Sequence, residues 1–181
     1  MCVRTHASED EPSYVRAHAQ DCYGVTMDST VAWANVLRVH AALTPLLDRE
    51  LRAAHGLPLM WYDVLLELHA TRGGELTMTD LGSVTVLSRS RVSRVVDELA
   101  AAGLVERAGN PADRRSSLAR LTPAGRERVE AAAPTYRAGI ERHFTSRMTK
   151  AEAATVAAAL GKVLRAHDAT VVIPLGRGHG S

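Results

Sequence analysis

The chain has 181 residues, enough for one domain with a real core and tails. Its hydrophobic share is 46% with 4% aromatic, so the apolar content is mostly Ala, Val and Leu and suits helices; two cysteines, Cys2 and Cys22, supply no disulfide framework. The net charge of +2 does not by itself point to nucleic acid, no apolar run reaches the ~20 residues of a membrane span, and the first residues lack the basic-then-apolar pattern of a secretory leader, so a reducing cytoplasm is expected.

Residues 1–27 mix His, Ser, Glu, Asp, Pro and Gly without a period and are expected to form a flexible tail. Met27-Asp28-Ser29-Thr30 reads like a beginning, and one reading makes the first 26 residues an extension of the native protein. Asp28 or Ser29 then caps a long helix ending near Gly56, with Val31, Trp33, Val36, Leu37, Leu43, Leu46, Leu47 and Leu51 as apolar positions. Pro45 falls inside it and is expected to bend or divide it. Leu57-Pro58 opens a second helix, Leu59 to about Ala70, apolar around nearly its whole circumference and therefore buried. Arg72-Gly73-Gly74 is a turn, Leu76 a short strand, and residues 79–84 a short helix capped by Thr77 or Thr79.

The stretch that follows carries the most information. Ser88 is an N-cap, and Val92, Val95, Val96, Leu99 and Ala102 recur at helical spacing. The opposite face of the first two turns holds Arg89, Ser90, Arg91, Ser93 and Arg94. Gly103 stops the helix. Two short β-like runs, 104–107 and Ser117–Leu121, flank a polar tip containing Asp113, Arg114 and Arg115. Thr122-Pro123 then caps the next helix, with Pro where its missing N–H costs nothing. A helix followed by a two-stranded basic hairpin is the layout of a winged helix-turn-helix. Such a helix fits the major groove, where Arg bridges guanine bidentately and Ser holds base edges or phosphate. The hairpin tip reaches a neighbouring groove through Arg114 or Arg115, with Asp113 pre-aiming the Arg115 guanidinium by a charge-assisted bond. Between residues 88 and 120, seven arginines (89, 91, 94, 107, 114, 115, 120) face four acids (97, 98, 106, 113), a modest basic patch in the expected place.

Residues 123–147 are expected to be helical with a kink at Pro134. Thr149 and Glu152 form a capping box opening a last helix over 150–167. Its stripe of Ala153, Val156, Ala157, Leu160, Val163 and Leu164 suits close packing on another helix. The first helix and the last two carry more apolar surface than one winged helix covers, which points to a second subunit.

In order and spacing, Ser88, Ser90, Val92, Ser93, Arg94, Leu99, Gly103, Leu104, Val105, Arg107, Asp113, Arg115, Leu121, Thr122 and Gly125 resemble the MarR family of bacterial regulators, over roughly residues 30–167. The resemblance implies a homodimer on a pseudo-palindromic double-stranded operator, usually a ligand-responsive repressor. The expected fold is mainly α: a winged helix-turn-helix DNA-binding lobe (58–121) with a helical dimerisation region from the N- and C-terminal helices (28–56 and 123–167). Residues 168–181 are expected to form a flexible tail. The expected DNA contacts are Ser88, Arg89, Ser90, Arg91, Ser93, Arg94, Arg114 and Arg115, with Asp113 in support. Family ligands usually sit between the dimer helices and the DNA-reading lobe. That makes Trp33, His40, Tyr62, Asp63 and His69 candidates for a pocket taking a small aromatic or phenolic compound; the plainer reading makes them core, interface or paired residues.

Other chemistry finds little support. Some relatives sense oxidants through a cysteine within the first helix, but Cys22 precedes it and reads as a tail thiol. The histidines are scattered with no helical i, i+4 pair, so no metal or other cofactor is expected. Hydrolase, P-loop, dinucleotide and zinc-protease motifs are absent, so the chain is not expected to be an enzyme. The rival readings are an architectural or constitutive DNA-binding protein without an effector, and a winged-helix protein-interaction module.

Overall fold

The structure is a computed structural model and describes residues 27–85, 87–111, 113 and 116–167, without the side chains of 27–29 and 89. Of the expected tails, 1–27 and 168–181, all but Met27 lie outside the described residues, as do the tip residues Arg114 and Arg115; Met27 belongs to the first helix instead. Two compact units are distinguished, one up to Ala42 and one from Leu43. Helix α1, Met27–His55, spans the boundary as one uninterrupted helix. Pro45 therefore does not divide it; the carbonyl four residues back merely loses a donor. Gly56, at φ 61°, ends it and returns its N–H to Arg52 at 2.8 Å. In the first unit Val31, Trp33, Val36, Leu37 and Val39 are exposed.

The second unit contains the rest of α1, α2 (Leu59–Ala70), β1 (Glu75–Thr77), α3 (Met78–Val84), α4 (Arg89–Ala101), β2 (Val105–Gly109), β3 (Ser117–Leu121), α5 (Pro123–His143), a 3-10 turn and α6 (Lys150–Ala166). Helix α2 is central, as its all-round apolar sequence requires: Leu59, Tyr62, Val64, Leu65 and Leu68 are buried. They share one core with Leu51, Leu81, Val92, Val95, Val96, Leu99, Val105, Leu121 and Val129. Pro58 cannot cap α2 with a side chain, so α1 does it: Asp48 Oδ1 accepts the Leu59 N–H at 2.8 Å while Oδ2 accepts from Arg52 at 2.7 Å. Glu50 ties the same end of α1 to α5, accepting from Arg142 at 2.8 Å and lying 2.7 Å from His143 Nε2.

The sheet is antiparallel in the order β1-β3-β2, and Leu76 pairs with Ala119 as a strand against the wing. One register line runs across all three strands, Glu75 to Arg120 to Glu106, and its side chains follow it: Arg120 donates to Glu75 at 2.8 Å and to Glu106 at 3.1 Å. Helix α5 begins where the sheet ends. Thr122 caps it by accepting the Gly125 N–H at 3.0 Å, with Pro123 in the first turn. Gly125 is obligatory for packing, since a Cβ there would stand 2.0 Å from the Leu104 carbonyl oxygen. Helix α5 runs through Pro134 and ends at His143, short of the expected 147. Helix α6 opens on the expected Thr149–Glu152 capping box but buries no residue; Leu160, Val163 and Leu164 are exposed.

Candidate nucleic-acid interface

Helix α4 is amphipathic in the sense its sequence requires. Val92, Val95, Val96 and Leu99 are buried, while Ser90, Arg91 and Arg94 are exposed. Ser88 occupies the N-cap, but its hydroxyl makes no cap bond; it lies 3.3 Å from the Ser90 hydroxyl instead, and the Ser88 carbonyl takes the first helical N–H groups of Arg91 and Val92. At the other end Gly103 adopts φ 72°, and the bonds Leu104 N–H to Leu99 and Gly103 N–H to Ala100 close a Schellman motif. Ala102, expected on the apolar face, falls in this turn and is exposed. Helix α3 precedes α4 and is capped by Thr77 rather than Thr79, with the Thr77 hydroxyl accepting from Asp80 N–H at 3.0 Å and donating to its carboxylate at 2.7 Å.

Two elements fix the azimuth of α4. From β2, Arg107 donates to Asp97 at 2.9 Å and reaches the Ser93 carbonyl at 3.3 Å and hydroxyl at 3.2 Å. From α2, the Trp61 indole N–H donates to Glu98 at 2.8 Å. Ser93 thus has one hydroxyl lone pair engaged by the wing. Of the arginines in the basic stretch whose side chains are described, 107 and 120 are spent on acids, whereas Arg91 and Arg94 make no hydrogen bond or ion pair with any described residue. Among the described residues of this stretch, the unpaired positive charge therefore lies on the exposed first turns of α4. The side chain of Arg89 is outside the described residues. At the wing tip, Asp113 turns the chain through its backbone, with its N–H on Asn110 and its carbonyl accepting from Ser116. Its expected bond to Arg115 involves a residue that is not described.

The residues expected at an effector pocket fall in different units. Trp33 and His40 belong to the first and are exposed. Tyr62, Asp63 and His69 lie on α2 in the second. Tyr62 is core, 1% exposed, its ring centroid 4.7 Å from that of Tyr136 on α5, and burial pushes its hydroxyl up to about 12. Asp63 is half-buried, and burial raises its carboxyl to about 7. One turn on, Glu67 is raised to about 7 by burial and then by the charge of Asp63. His69 lies 3.3 Å from an Arg126 nitrogen and 3.9 Å from Glu130. A shallow cleft in this unit lies elsewhere, between Glu50, Ala53 and Ala54 of α1 and Thr135, Ala138 and Arg142 of α5. Among the described residues no group of three His, Cys, Asp or Glu is placed to hold a metal, and no helix is long and apolar enough to cross a membrane.

Sequence reasoning identified the exposed arginines but not what holds them. Arg107 was legible only as part of a motif, and Trp61 only as an apolar residue. The usable signal was the acid pair Asp97-Glu98, one turn beyond Arg94 on a helix bearing exposed arginines.

A three-stranded wing, a short helix and a braced helix with free arginines define a winged helix-turn-helix protein. Residues 55–116 match the model described as MarR family. Solved structures agree along most of the chain. AbsC, a MarR family transcriptional regulator from Streptomyces coelicolor, is 29% identical, covering 81% of this chain and 99% of that one with a TM-score of 0.70. Sco3205, a MarR family regulator from the same organism solved in complex with DNA, is 25% identical over 85% and 97%, TM-score 0.71. Sco5413, a third such regulator, is 27% identical over 80% and 98%, TM-score 0.67. Comparison with curated proteins yields no match. The matched winged-helix stretch, residues 55–116, is MarR-like, and the chain is similar along most of its length to transcriptional regulators of that family, one of them solved in complex with DNA.

Proposed function

We propose that the protein is a homodimeric, ligand-responsive repressor that acts in the cytoplasm on a pseudo-palindromic operator. The observation that carries this reading is the pair of exposed, unpaired arginines, 91 and 94, on the face of α4 opposite its buried valines. Ser88, Arg89, Ser90 and Ser93 complete the groove-facing set, and Arg114 and Arg115, supported by Asp113, serve the wing. The related Sco3205, solved in complex with DNA, supports the same use of the fold. A second subunit accounts for the exposed apolar side chains of Trp33 and Leu37 and, on α6, of Val163 and Leu164. In this reading residues 28–56 and 123–167 dimerise and 58–121 read DNA. An effector releases DNA by binding better to the state whose recognition helices are wrongly spaced. Asp63 and His69, both on α2, are its proposed neighbours. The half-buried Asp63 carboxyl favours a small aromatic ligand with a hydrogen-bonding group.

The test is binding to DNA flanking its own gene, at stated salt, with wild type, Arg94→Ala and Arg115→Ala. A discrete site is expected, its half-sites ~10–10.5 bp apart between centres, with each variant weakened by about 1–3 kcal/mol. Equal weak binding to every sequence with a steep salt slope would favour an architectural protein. No binding by a wild-type dimer at low salt would favour a protein-interaction module.

A further inference from the structure

Arg94 is unusual on its own helix. Acids stand three and four residues ahead of it, at Asp97 and Glu98, whereas Arg89 and Arg91 have none at those spacings. Residues so spaced share a helix face, and an arginine and a carboxylate there pair readily in water. Such a pair would draw the Arg94 guanidinium back along the helix. It does not form here: Asp97 is occupied by Arg107 at 2.9 Å and Glu98 by the Trp61 indole at 2.8 Å. We propose that Trp61 is a positioning residue for DNA reading: by holding Glu98, it keeps that carboxylate from capturing Arg94.

This rests on the reading of Arg94 as a DNA contact. Trp61 sits on the central helix, and its indole N–H reaches α4 at Glu98. Arg107 does the equivalent for Asp97 but also braces Ser93, which makes Trp61 the cleaner probe. Trp61→Phe keeps an aromatic ring and removes the N–H. Glu98 is then released to pair with Arg94, and DNA must break that pair before the arginine is usable. An exposed i, i+4 pair is weak, so the expected loss of affinity is about two- to fivefold.

The experiment measures binding of the full-length protein to the DNA fragment flanking its own gene by fluorescence anisotropy, with thermal midpoints recorded for every variant. Trp61→Phe is expected to weaken binding two- to fivefold. Adding Glu98→Gln, which removes the competing charge, is expected to bring affinity back to that of Glu98→Gln alone. In an Arg94→Ala background Trp61→Phe is expected to change nothing. Trp61→Leu, which also lacks the N–H, must show the same rescue, so a folding defect in one variant does not decide the matter. Wild-type affinity in Trp61→Phe, or a loss that persists with Glu98→Gln, overturns the proposal. Wild-type affinity in Arg94→Ala overturns the underlying DNA-contact reading instead.

Discussion

The Thr122 hydroxyl donates to the Gly103 carbonyl at 2.8 Å, joining the turn that ends α4 to the residue that caps α5. The same oxygen caps α5 through the Gly125 N–H, and the Thr122 N–H bonds the Leu104 carbonyl at 3.1 Å. Replacing Thr122 with Val keeps the shape and removes both hydroxyl bonds. A loss of about 1–2 kcal/mol in unfolding free energy is expected, read by urea denaturation.

Gly103 and Gly125 are required for different reasons, and alanine substitution separates them. Gly103 has a positive φ with open space around it, so Gly103→Ala is expected to cost only about 1–2 kcal/mol. At Gly125 the new methyl would meet the Leu104 backbone 2.0 Å away, and backbone cannot rotate aside. Gly125→Ala is expected to cost several kcal/mol, on the order of the large core defects. Equal melting temperatures for the two variants would contradict this.

The two carboxyls of α2 predict a pH dependence. Asp63 and Glu67 are both raised to about 7 in the folded protein, by burial first, from ordinary values near 4. Between those limits the folded state holds protons that the unfolded chain has released. Their contribution to stability is therefore fully present below about pH 4 and is lost as pH rises through 7. The two titrate as a pair. With solvent screening, wild type is expected to lose on the order of 1–2 kcal/mol relative to Asp63→Asn between pH 5.5 and 8. Parallel curves for the two proteins would show that Asp63 is not held in this way.

Arg107 links the wing to α4 through Asp97 and Ser93. Arg107→Met keeps the stem and deletes the fork. Because the pair is partly exposed, global stability is expected to fall by no more than about 1 kcal/mol. Affinity for DNA is expected to fall more than stability does, since both the azimuth of α4 and the occupation of Asp97 are lost. Binding titrations beside thermal melts distinguish the two effects.

Much of the fold was legible because its signals are local. The bounds of α2 and β3, the Gly56 and Gly103 stops, the Thr122 cap and the Thr149 box all depend on residues within a turn of one another. What escaped joins residues far apart in sequence. The cap of α2 comes from Asp48, 11 positions earlier, and the Trp61–Glu98 bond spans 37. Composition patterns do not encode such partners. The Ser88 hydroxyl was misjudged for the opposite reason: its cap position is local and correct, but its oxygen turns to Ser90. Of the residues proposed to face DNA, the arginines are legible by charge and spacing. That Arg91 and Arg94 remain unpaired while Arg107 and Arg120 do not depends on tertiary neighbours.

The pairing of β1 with β3 has a mechanical consequence. Glu75 meets Arg120 across 45 residues of chain, and everything that faces DNA in the proposed reading lies between those two points. The intervening stretch is a closed loop fastened at its base by a clasp, with Arg120 as the pin through all three strands. A nick at the loop's tip, between Gly109 and Ser117, leaves both arms anchored in the same sheet.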